Sequence, residues 1–382
     1  MHLLMDALSC TNLSGRQVLC GHLSELLRAM PDGRITLLLH AANHDVLDLL
    51  RTECGADLPP FLTVCLAPSA TAHWTGRSVY ERLRLPPLIR HRGVDLCLTF
   101  SGGWIPGLPC RQMTLALNPW ALINTGPRSR SERVKAVLQR RSYRSAVRRA
   151  DGIGFGSAYM RHLYRANAGA TERRGEIVYP ALATGDLALM ERVRARVRTR
   201  DPWTVLCVSL MAPHKDIETL IEAIGLARAA GCPATLRLVG GWSHTGYRVR
   251  IERLIADLRL DSAVTIEGHL LRPALVEAYR RSLVYALLSR SESFGIPAVE
   301  AQRMGTPVVA ARDCAAPEVC GEGGRYVSAG DAPAAARTLI ALLTDADEWQ
   351  SVSAAAEINA RRFEYARTTR PLLAMLGIKP KE

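Results

Sequence analysis

One short segment of the chain combines acidic side chains, a glycine and a helix start in an order suited to binding phosphate and hydroxyl groups. Glu292 and Glu300 stand on either side of Gly295, and Pro297 suits a first helical turn. Backbone amides around Ile296–Ala298 can bind phosphate oxygens, and a carboxylate one turn into the helix can accept hydrogen bonds from hydroxyls. Two glutamates at this spacing often arise by chance on solvated surfaces, but the Phe–Gly loop and the proline-started helix favour a binding function.

A second candidate segment contains the cation that such a site needs. The loop SLMAPHKD runs from Ser209 to Asp216 and leads into a helical pattern, with Asp216 as the expected N-cap. Lys215 would lie beside a helix N-terminus, where a cation can stabilise negative charge that develops on a departing diphosphate. A lone lysine before a helix is otherwise most often solvated, and its position one strand–helix unit into the second half favours function.

Two glycine-bearing loops are expected at the same sheet edge. Gly240 and Gly241 follow one strand-like run, and Gly268, His269 and Leu270 follow the next. Glycine lets backbone approach a ligand closely. Each loop alone is equally consistent with an ordinary turn, and together they are suitably placed to pack against a nucleotide base.

Short apolar runs must form the sheets that position these loops. Their hydrophobicity is continuous rather than alternating, which predicts parallel strands buried on both faces. A short strand is expected ahead of Ser14, and eleven more are predicted at 35–41, 62–68, 94–100, 112–118, 152–157, 176–180, 204–210, 235–241, 263–269, 283–289 and 307–311.

Helical patterns separate these runs, so the sequence predicts doubly wound α/β architecture twice over. A chain of 382 residues suits two domains of similar size. We expect an N-terminal domain over 1–182, a charged linker over 183–202 and a second domain over 203–362. The pattern over 361–377 predicts one amphipathic helix.

Composition excludes several classes of protein. Ten scattered cysteines without a C-x-x-C pair are typical of small buried hydrophobes in a reducing compartment, so we expect neither disulfides nor a zinc site. The N-terminus lacks a basic region and carries Asp6, so we do not expect a signal peptide. The net charge of +13 indicates an anionic partner or an arginine-rich surface, and charge alone does not choose between them.

The acidic segment resembles glycosyltransferase family 4, retaining enzymes of GT-B fold. The family pattern S-x-x-E-x-F-G-x-P-x-x-E-A-x-x-x-G-x-P-V-V-A is similar to SRSESFGIPAVEAQRMGTPVVA in this chain. The likeness extends over most of the second half, including VSLMAPHKDIETLIEA. It implies two Rossmann-like domains facing across a cleft, an acceptor-binding domain over 1–182 and a nucleotide-sugar-binding domain over 203–362. A C-terminal helix at about 363–382 would cross back to the first domain.

The resemblance also implies roles for individual residues. Lys215 would bind the donor diphosphate and Glu292 the transferred sugar, both acting in catalysis, while Glu300 would bind the ribose. Further donor contacts would come from a loop of the N-terminal domain, at Gly15 and Arg16. The loops of the second domain would add Ser209, Gly240, His269, Leu270, Phe294, Gly295 and Ile296.

The chain departs from the family pattern at three places. Leu210 stands where the family often has an arginine, so one phosphate-neutralising charge is missing unless Arg16 or another arginine replaces it. Asn118, with Trp120 nearby on the acceptor side, stands where a histidine is common; front-face attack, with the departing phosphate taking the proton, tolerates that loss. Pro180–Ala181 replaces the usual His–Gly. Three other histidines are expected to be structural, namely His40, His44 and His73.

No metal or other cofactor is expected. Asp345 and Asp347 form a D-x-D sequence, which holds a metal in the other large glycosyltransferase fold when it follows a strand. Here it lies between helical segments and predicts a helix cap.

The segment 128–149 is basic, with apolar residues interleaved. It could lie on an anionic membrane surface, or it could be a solvated helix whose apolar side packs on its own domain. Nucleic acid is disfavoured because no recognition-helix motif appears.

The expected function is transfer of a hexose or related sugar, such as mannose or glucose, from a nucleotide sugar to a hydroxyl of a glycan, a lipid-linked carrier or a small molecule, in cell-surface polysaccharide assembly. The expected location is cytoplasmic, with peripheral membrane attachment open. A catalytically weak paralogue that binds sugar nucleotides or serves as a scaffold remains an alternative. A nicotinamide-dependent oxidoreductase is disfavoured because no G-x-G-x-x-G follows a strand.

Overall fold

A computed structural model describes every residue except 44, 55–57, 124–128, 198 and 379–382. The chain divides into two compact units. The first comprises Met1–Gly185 together with the C-terminal segment that begins at Glu364, and the second comprises Asp186–Phe363.

The first unit is built on a seven-stranded sheet whose strands are all parallel. The strands are β1 (His2–Asp6), β2 (Arg34–His40), β3 (Leu62–Ala67), β4 (Leu96–Thr99), β5 (Arg111–Ala116), β6 (Gly152–Phe155) and β7 (Gly175–Ile177). Their order across the sheet is β3-β2-β1-β4-β5-β6-β7. The chain therefore reverses its direction of growth between β1 and β4, which makes their carboxyl ends a topological switch point.

Helices flank this sheet, and most of them bury apolar side chains. They are α1 (Leu13–Ala29), α2 (Asp45–Cys54), α3 (Trp74–Leu83), α4 (Leu85–Arg92), α5 (Arg130–Arg149) and α6 (Ala158–Ala168). Among the described helices of the chain, none is both long and apolar enough to cross a bilayer.

The second unit repeats the plan with six parallel strands. They are β8 (Thr204–Val208), β9 (Thr235–Val239), β10 (Val264–Gly268), β11 (Val284–Leu287), β12 (Val308–Ala311) and β13 (Gly324–Val327), in the order β10-β9-β8-β11-β12-β13. The twice-repeated α/β architecture and all the strands predicted from the sequence are confirmed. Strand β13 was not predicted, because its four residues include a glycine and Arg325 and do not form an apolar run. In the structure Arg325 pairs with Glu348.

Eight helices surround the second sheet among the described residues. They are α7 (Thr184–Arg196), α8 (Ile217–Ala229), α9 (Thr245–Asp257), α10 (Arg272–Arg281), α11 (Ile296–Arg303), α12 (Ala316–Cys320), α13 (Ala332–Thr344) and α14 (Ala346–Ala360). Helix α7 occupies most of the segment expected to be a linker, and it buries Met190 and Val193. The charged residues of this stretch therefore belong to a helix, and its role as a linker stays a prediction.

The C-terminal segment differs from the single helix expected. It forms α15 (Tyr365–Thr368) and α16 (Arg370–Leu376), with a break at Thr369. Leu372 and Met375 join the core of the first unit, and the Tyr365 ring lies so close to Gly21 that a Cβ there would overlap it. The last predicted residues, 379–382, lie outside the described part of the chain.

Seven of the ten cysteines are buried and all ten are free thiols. Cys97 in β4 and Cys207 in β8 lie in the sheet cores, where burial raises the pKa of each thiol. They pack as small hydrophobes, as their positions in apolar runs predicted.

Candidate active site

The switch point of the second sheet lies between β8 and β11, which are hydrogen-bonded neighbours. Lys215 follows β8 in a short 3-10 turn, Pro213–Lys215, and Glu292 follows β11. The two candidate segments, far apart in sequence, therefore meet where an open α/β sheet binds ligands.

Lys215 and Glu292 form a direct ion pair. The Lys215 Nζ lies 2.5 Å from Glu292 Oε2, and the two side chains are 17% and 15% exposed. The Glu292 carbonyl oxygen accepts the Ala315 N–H at 3.0 Å, which ties its loop to the start of α12. A cation and a carboxylate are thus held together, with limited solvent access, at one edge of the sheet.

Asp216 occupies the N-cap position of α8 but does not cap it with its side chain. Its backbone is left-handed, with φ of 54°, and no side-chain cap bond forms. Instead Oδ1 accepts a hydrogen bond from Arg290 Nη2 at 3.1 Å, while the Arg290 N–H donates to the His214 carbonyl at 2.9 Å. Asp216 therefore links the two site loops, which a local capping rule does not anticipate.

Helix α11 begins at the loop glycine, as predicted. Gly295 has a φ of 90°, which disfavours any side chain there, and Pro297 lies in the first turn. The expectation of several free amides is too broad. Pro297 has no N–H, and the Ala298 N–H donates to the Gly295 carbonyl at 2.9 Å, so the Ile296 N–H is the first amide that this turn offers.

Two buried hydroxyls at the end of β11 were not singled out from the sequence. Ser289 and Ser291 are 0% and 7% exposed. Neither Oγ has a hydrogen-bond partner among the described residues. Buried polar groups are nearly always satisfied, so these hydroxyls are available to a ligand that enters the loop. The S-x-S spacing before Glu292 was the signal that could have found them.

Glu300 is held inside the second unit by two neighbours. It is 6% exposed, and its Oε2 accepts a hydrogen bond from Tyr279 Oη at 2.7 Å. Its Oε1 lies 2.6 Å from Arg272 Nη2, and Arg272 Nε also donates to Asp186 at 2.7 Å. The carboxylate is oriented by both neighbours, but a ribose would have to share it with Arg272, a partner that the sequence did not reveal.

The glycine loops bring backbone segments together at the ends of β8 and β9. Gly240 has a φ of 132°, and a Cβ at this position would overlap the Ser209 carbonyl oxygen. A Cβ at Gly241 would lie 2.7 Å from His269 Nε2. His269 is exposed and Leu270 is half-buried. Close packing therefore favours glycine at both positions, independently of any contact with a ligand.

The predicted phosphate-facing loop of the first unit is part of a helix. Gly15 and Arg16 lie in the first turn of α1, where the Asn12 side chain caps the Gly15 N–H at 2.7 Å. Arg16 Nη1 donates to both carboxylate oxygens of Asp45 at 2.7 Å. The predicted loop is therefore the start of a helix, with Arg16 paired to Asp45, and the contact of Gly15 and Arg16 with phosphate stays a prediction.

The acceptor-side candidates form a tight turn. The Trp120 N–H donates to Asn118 Oδ1 at 2.9 Å, and Lys135 Nζ lies 5.0 Å from the Trp120 ring centre. His40 is buried and His73 bonds Thr75 at 2.8 Å. The remaining candidate, His44, lies outside the described residues.

The D-x-D sequence forms a helix cap, as predicted. Asp345 Oδ1 accepts hydrogen bonds from the N–H groups of Asp347 and Glu348, both at 3.0 Å. Within the described part of the chain, no group of three or more His, Cys, Asp or Glu side chains is arranged to hold a metal.

Solved structures show which class of protein this architecture defines. The chain matches the structure of Anabaena HepE in complex with UDP and glucose with a TM-score of 0.70, at 20% identity over 99% of each chain. It matches sucrose-phosphate synthase from Thermosynechococcus elongatus with a TM-score of 0.72, at 17% identity over 98% of each chain. The fold is GT-B, with two Rossmann-like domains.

Sequence comparison identifies the second of these domains. Residues 191–361 match the family model described as Glycosyl transferases group 1. A D-inositol 3-phosphate glycosyltransferase from Acidothermus cellulolyticus is 34% identical over 218 residues, 54% of this chain and 48% of the relative.

A GDP-mannose-dependent alpha-(1-6)-phosphatidylinositol monomannoside mannosyltransferase from Mycolicibacterium smegmatis is 30% identical over 219 residues, 53% of this chain and 56% of the relative. The chain spans about half the length of the curated relatives it matches.

Proposed function

We propose that the protein is a glycosyltransferase that moves a sugar from a nucleotide-diphosphate donor to a hydroxyl group of an acceptor. The observation that carries this proposal is the 2.5 Å ion pair between Lys215 and Glu292 at the switch point of the second sheet. It joins the two segments whose chemistry suits a diphosphate and a sugar, on a domain of the Glycosyl transferases group 1 family.

In this proposal Lys215 neutralises the diphosphate as the bond to the sugar breaks. The N-terminus of α11 supplies the Ile296 amide and a positive helix end, and Ser289 and Ser291 supply unpartnered hydroxyls. Glu292, released from Lys215 when the diphosphate enters, contacts the transferred sugar and its developing positive charge. Charge neutralisation then comes from the protein, so we propose that the reaction needs no metal ion.

The retained configuration is a further part of the proposal. The leaving phosphate and the acceptor hydroxyl would lie on the same face of the transferred sugar. The departing phosphate then takes the proton of the acceptor hydroxyl, so no histidine is required at the position of Asn118. Glu300, oriented by Tyr279 and Arg272, contacts the ribose. Both curated relatives are named for transfer to inositol-containing phosphates, and HepE binds UDP-glucose, which supports a mannosyl or glucosyl donor and an acceptor of the glycan or lipid-linked kind.

A thermal-shift screen against nucleotide sugars tests the donor half of the proposal. Preferential stabilisation identifies the donor because a ligand that binds only the folded state raises its stability. Release of nucleotide diphosphate from that donor, with EDTA present and no acceptor, then tests turnover. Donor binding without turnover across an acceptor panel supports the binding-only paralogue instead, and no binding to any nucleotide sugar contradicts both.

We also propose that α5 docks on an anionic membrane surface. Its apolar residues divide: Tyr143 and Val147 are buried against the first unit, whereas Val134, Val137 and Leu138 are 56%, 46% and 44% exposed among basic side chains. The first predicted residue of this segment, at position 128, lies outside the described residues. Co-sedimentation with anionic but not zwitterionic vesicles at low salt would support docking, and no co-sedimentation would end it.

A further inference from the structure

The first unit contains a cavity of about 560 Å³ that shares no residue with the predicted donor site. Its walls are α3, the loop that follows β4, and α5. That loop begins at the carboxyl end of β4, which is one side of the switch point of the first sheet. Arg77, on α3, reaches the other side, because its Nη1 donates to the Leu8 carbonyl after β1 at 3.3 Å. The cavity therefore lies where an open α/β sheet binds ligands.

The lining of this cavity is strongly cationic. One carboxylate, Glu81, stands among five basic side chains: Arg77, Arg82, Lys135, Arg141 and Arg149. Arginine guanidinium groups bind phosphate oxygens through paired hydrogen bonds, so this concentration of charge suits an anion with several oxygens.

The one carboxylate, Glu81, is outnumbered by its basic neighbours. Burial, and then the nearby Asp6 carboxylate, raise the pKa of Glu81 above its ordinary value. Its Oε1 lies 3.6 Å from Arg77 Nε. Asp6 is 2% exposed, and its Oδ2 has no hydrogen-bond partner among the described residues. Asp6 is not part of the cavity lining, so the charge of the lining is that of its five basic side chains and Glu81.

Aromatic side chains give the cavity flat apolar walls. Trp74 and Trp104 both line it, and the Arg149 guanidinium lies 5.1 Å from the Trp104 ring centre. The loop after β4 is close-fitting, because a Cβ at Gly103 would overlap the Ser142 hydroxyl. A ligand could place its carbon skeleton against the indoles and its anionic group among the arginines.

We propose that this cavity binds the acceptor through a phosphate group, so that the sugar is transferred to a hydroxyl of a phosphate ester. The inference rests on the proposed glycosyltransferase function and names the chemical class of its acceptor. The same phosphate chemistry could come from a soluble phosphate ester or from a phospholipid headgroup.

Calorimetric titration tests the cavity directly. The probes are glycerol 1-phosphate against glycerol and glucose 6-phosphate against glucose, added to the full-length protein. Each phosphate ester should bind at least about tenfold more tightly than its neutral counterpart. Equal binding of the charged and neutral probes would overturn the proposal.

Variants locate the binding. The double change Arg82→Gln and Arg141→Gln removes two exposed cavity cations, and it should weaken phosphate-ester binding by about tenfold. Arg90→Gln is the matched control, since Arg90 is an exposed arginine of the same unit that does not line the cavity. Lys215→Ala should also leave binding unchanged. An equal loss in Arg90→Gln, or a loss in Lys215→Ala, would place the binding elsewhere and overturn the proposal.

A vesicle experiment separates the two sources of phosphate. Glycerol 1-phosphate should displace the protein from phosphatidylcholine vesicles containing phosphatidic acid if the cavity takes the lipid headgroup. If the cavity takes only soluble esters, the ester should leave any vesicle binding through α5 unchanged. Vesicle binding that the ester does not displace, in the absence of calorimetric binding, contradicts the cavity assignment. Donor hydrolysis without acceptor is measured on the wild type, on the Arg82→Gln and Arg141→Gln double variant and on Arg90→Gln. Intact hydrolysis with no phosphate preference refutes this inference alone, whereas no hydrolysis by the wild type refutes the proposed function.

Discussion

Lys215 Nζ lies 2.5 Å from Glu292 Oε2, at the point where the second sheet reverses its strand order. The pair joins a turn after β8 to a loop after β11. Neither residue is on the surface of a helix, where chance ion pairs are common and contribute little. In this position the Lys215 cation can bind a diphosphate and the Glu292 carboxylate can bind a sugar.

Removing either member of this pair should abolish most activity with little loss of stability. Lys215→Ala and Glu292→Gln should each lower donor turnover by about 100-fold or more, because each removes charge aimed at the reacting groups. The free energy of unfolding should change by about 1 kcal/mol or less, since a partly exposed ion pair contributes little to stability. Steady-state kinetics and urea unfolding measure the two effects.

Glu222→Gln is the control for this prediction, because Glu222 is an exposed carboxylate on α8. It should leave both quantities unchanged. A wild-type rate in Lys215→Ala or Glu292→Gln would remove that residue from the mechanism.

Arg200→Met should destabilise the second unit. The Arg200 Nη2 donates to the carbonyls of Met304 and Gly305 at 2.9 and 2.8 Å, at the end of α11, and Nη1 donates to Thr306 Oγ1 at 2.9 Å. Burial lowers the pKa of Arg200 to about 9, so it remains charged at neutral pH. Without it Thr306 Oγ1 loses its donor, and the Met304 and Gly305 carbonyls lose a charged donor although they keep Arg280 Nη1 and Ser353 Oγ. The free energy of unfolding should therefore fall by about 3 kcal/mol.

Chemical denaturation of Arg200→Met should be compared with that of Arg192→Met, since Arg192 is exposed on α7. Equal stability of the two variants would show that the carbonyls find other partners.

Two glycine-to-alanine changes should have opposite effects. Gly240 has a φ of 132°, and Gly240→Ala places a methyl group against the Ser209 carbonyl oxygen. The change should therefore destabilise the protein by about 2 kcal/mol or more. Gly225→Ala lies inside α8, where the new methyl would be 3.6 Å from Leu260, and should be neutral or stabilise by up to about 1 kcal/mol. Differential scanning calorimetry compares the two, and a neutral Gly240→Ala would contradict the close approach of the Gly240 and Ser209 backbones.

Acid should destabilise the first unit through His22. This side chain is fully buried, its Nδ1 lies 2.8 Å from Thr369 Oγ1, and burial lowers the pKa of His22 to about 3. Between that value and about 6.5 the unfolded state binds the proton more readily, so the stabilising contribution present above pH 6.5 is lost as the pH falls.

The slope from this one group should approach about 1.4 kcal/mol per pH unit. Urea unfolding of the wild type and of His22→Gln, at a series of pH values between 7 and 5, isolates the effect. An unchanged slope in His22→Gln would mean that other groups cause the acid sensitivity.

Local patterns predicted most of the architecture. Continuous apolar runs located the parallel strands, and Pro297 and Gly305 correctly marked the two ends of α11. Local rules failed where a distant residue intervenes. Asp216 has the type and position of a cap but bonds Arg290 instead, and Arg16, expected to face phosphate, is bound by Asp45.

The sequence by itself determined the twice-repeated α/β fold and the donor-type segment around Glu292, because strand burial, helix periodicity and turn chemistry act over a few neighbouring residues. Tertiary structure decided which side chains meet. Three features each join separate elements: the Lys215–Glu292 contact, the ion pair between Arg272 and Glu300, and the cationic cavity around Arg77. Their geometry depends on long-range packing, which no local pattern encodes.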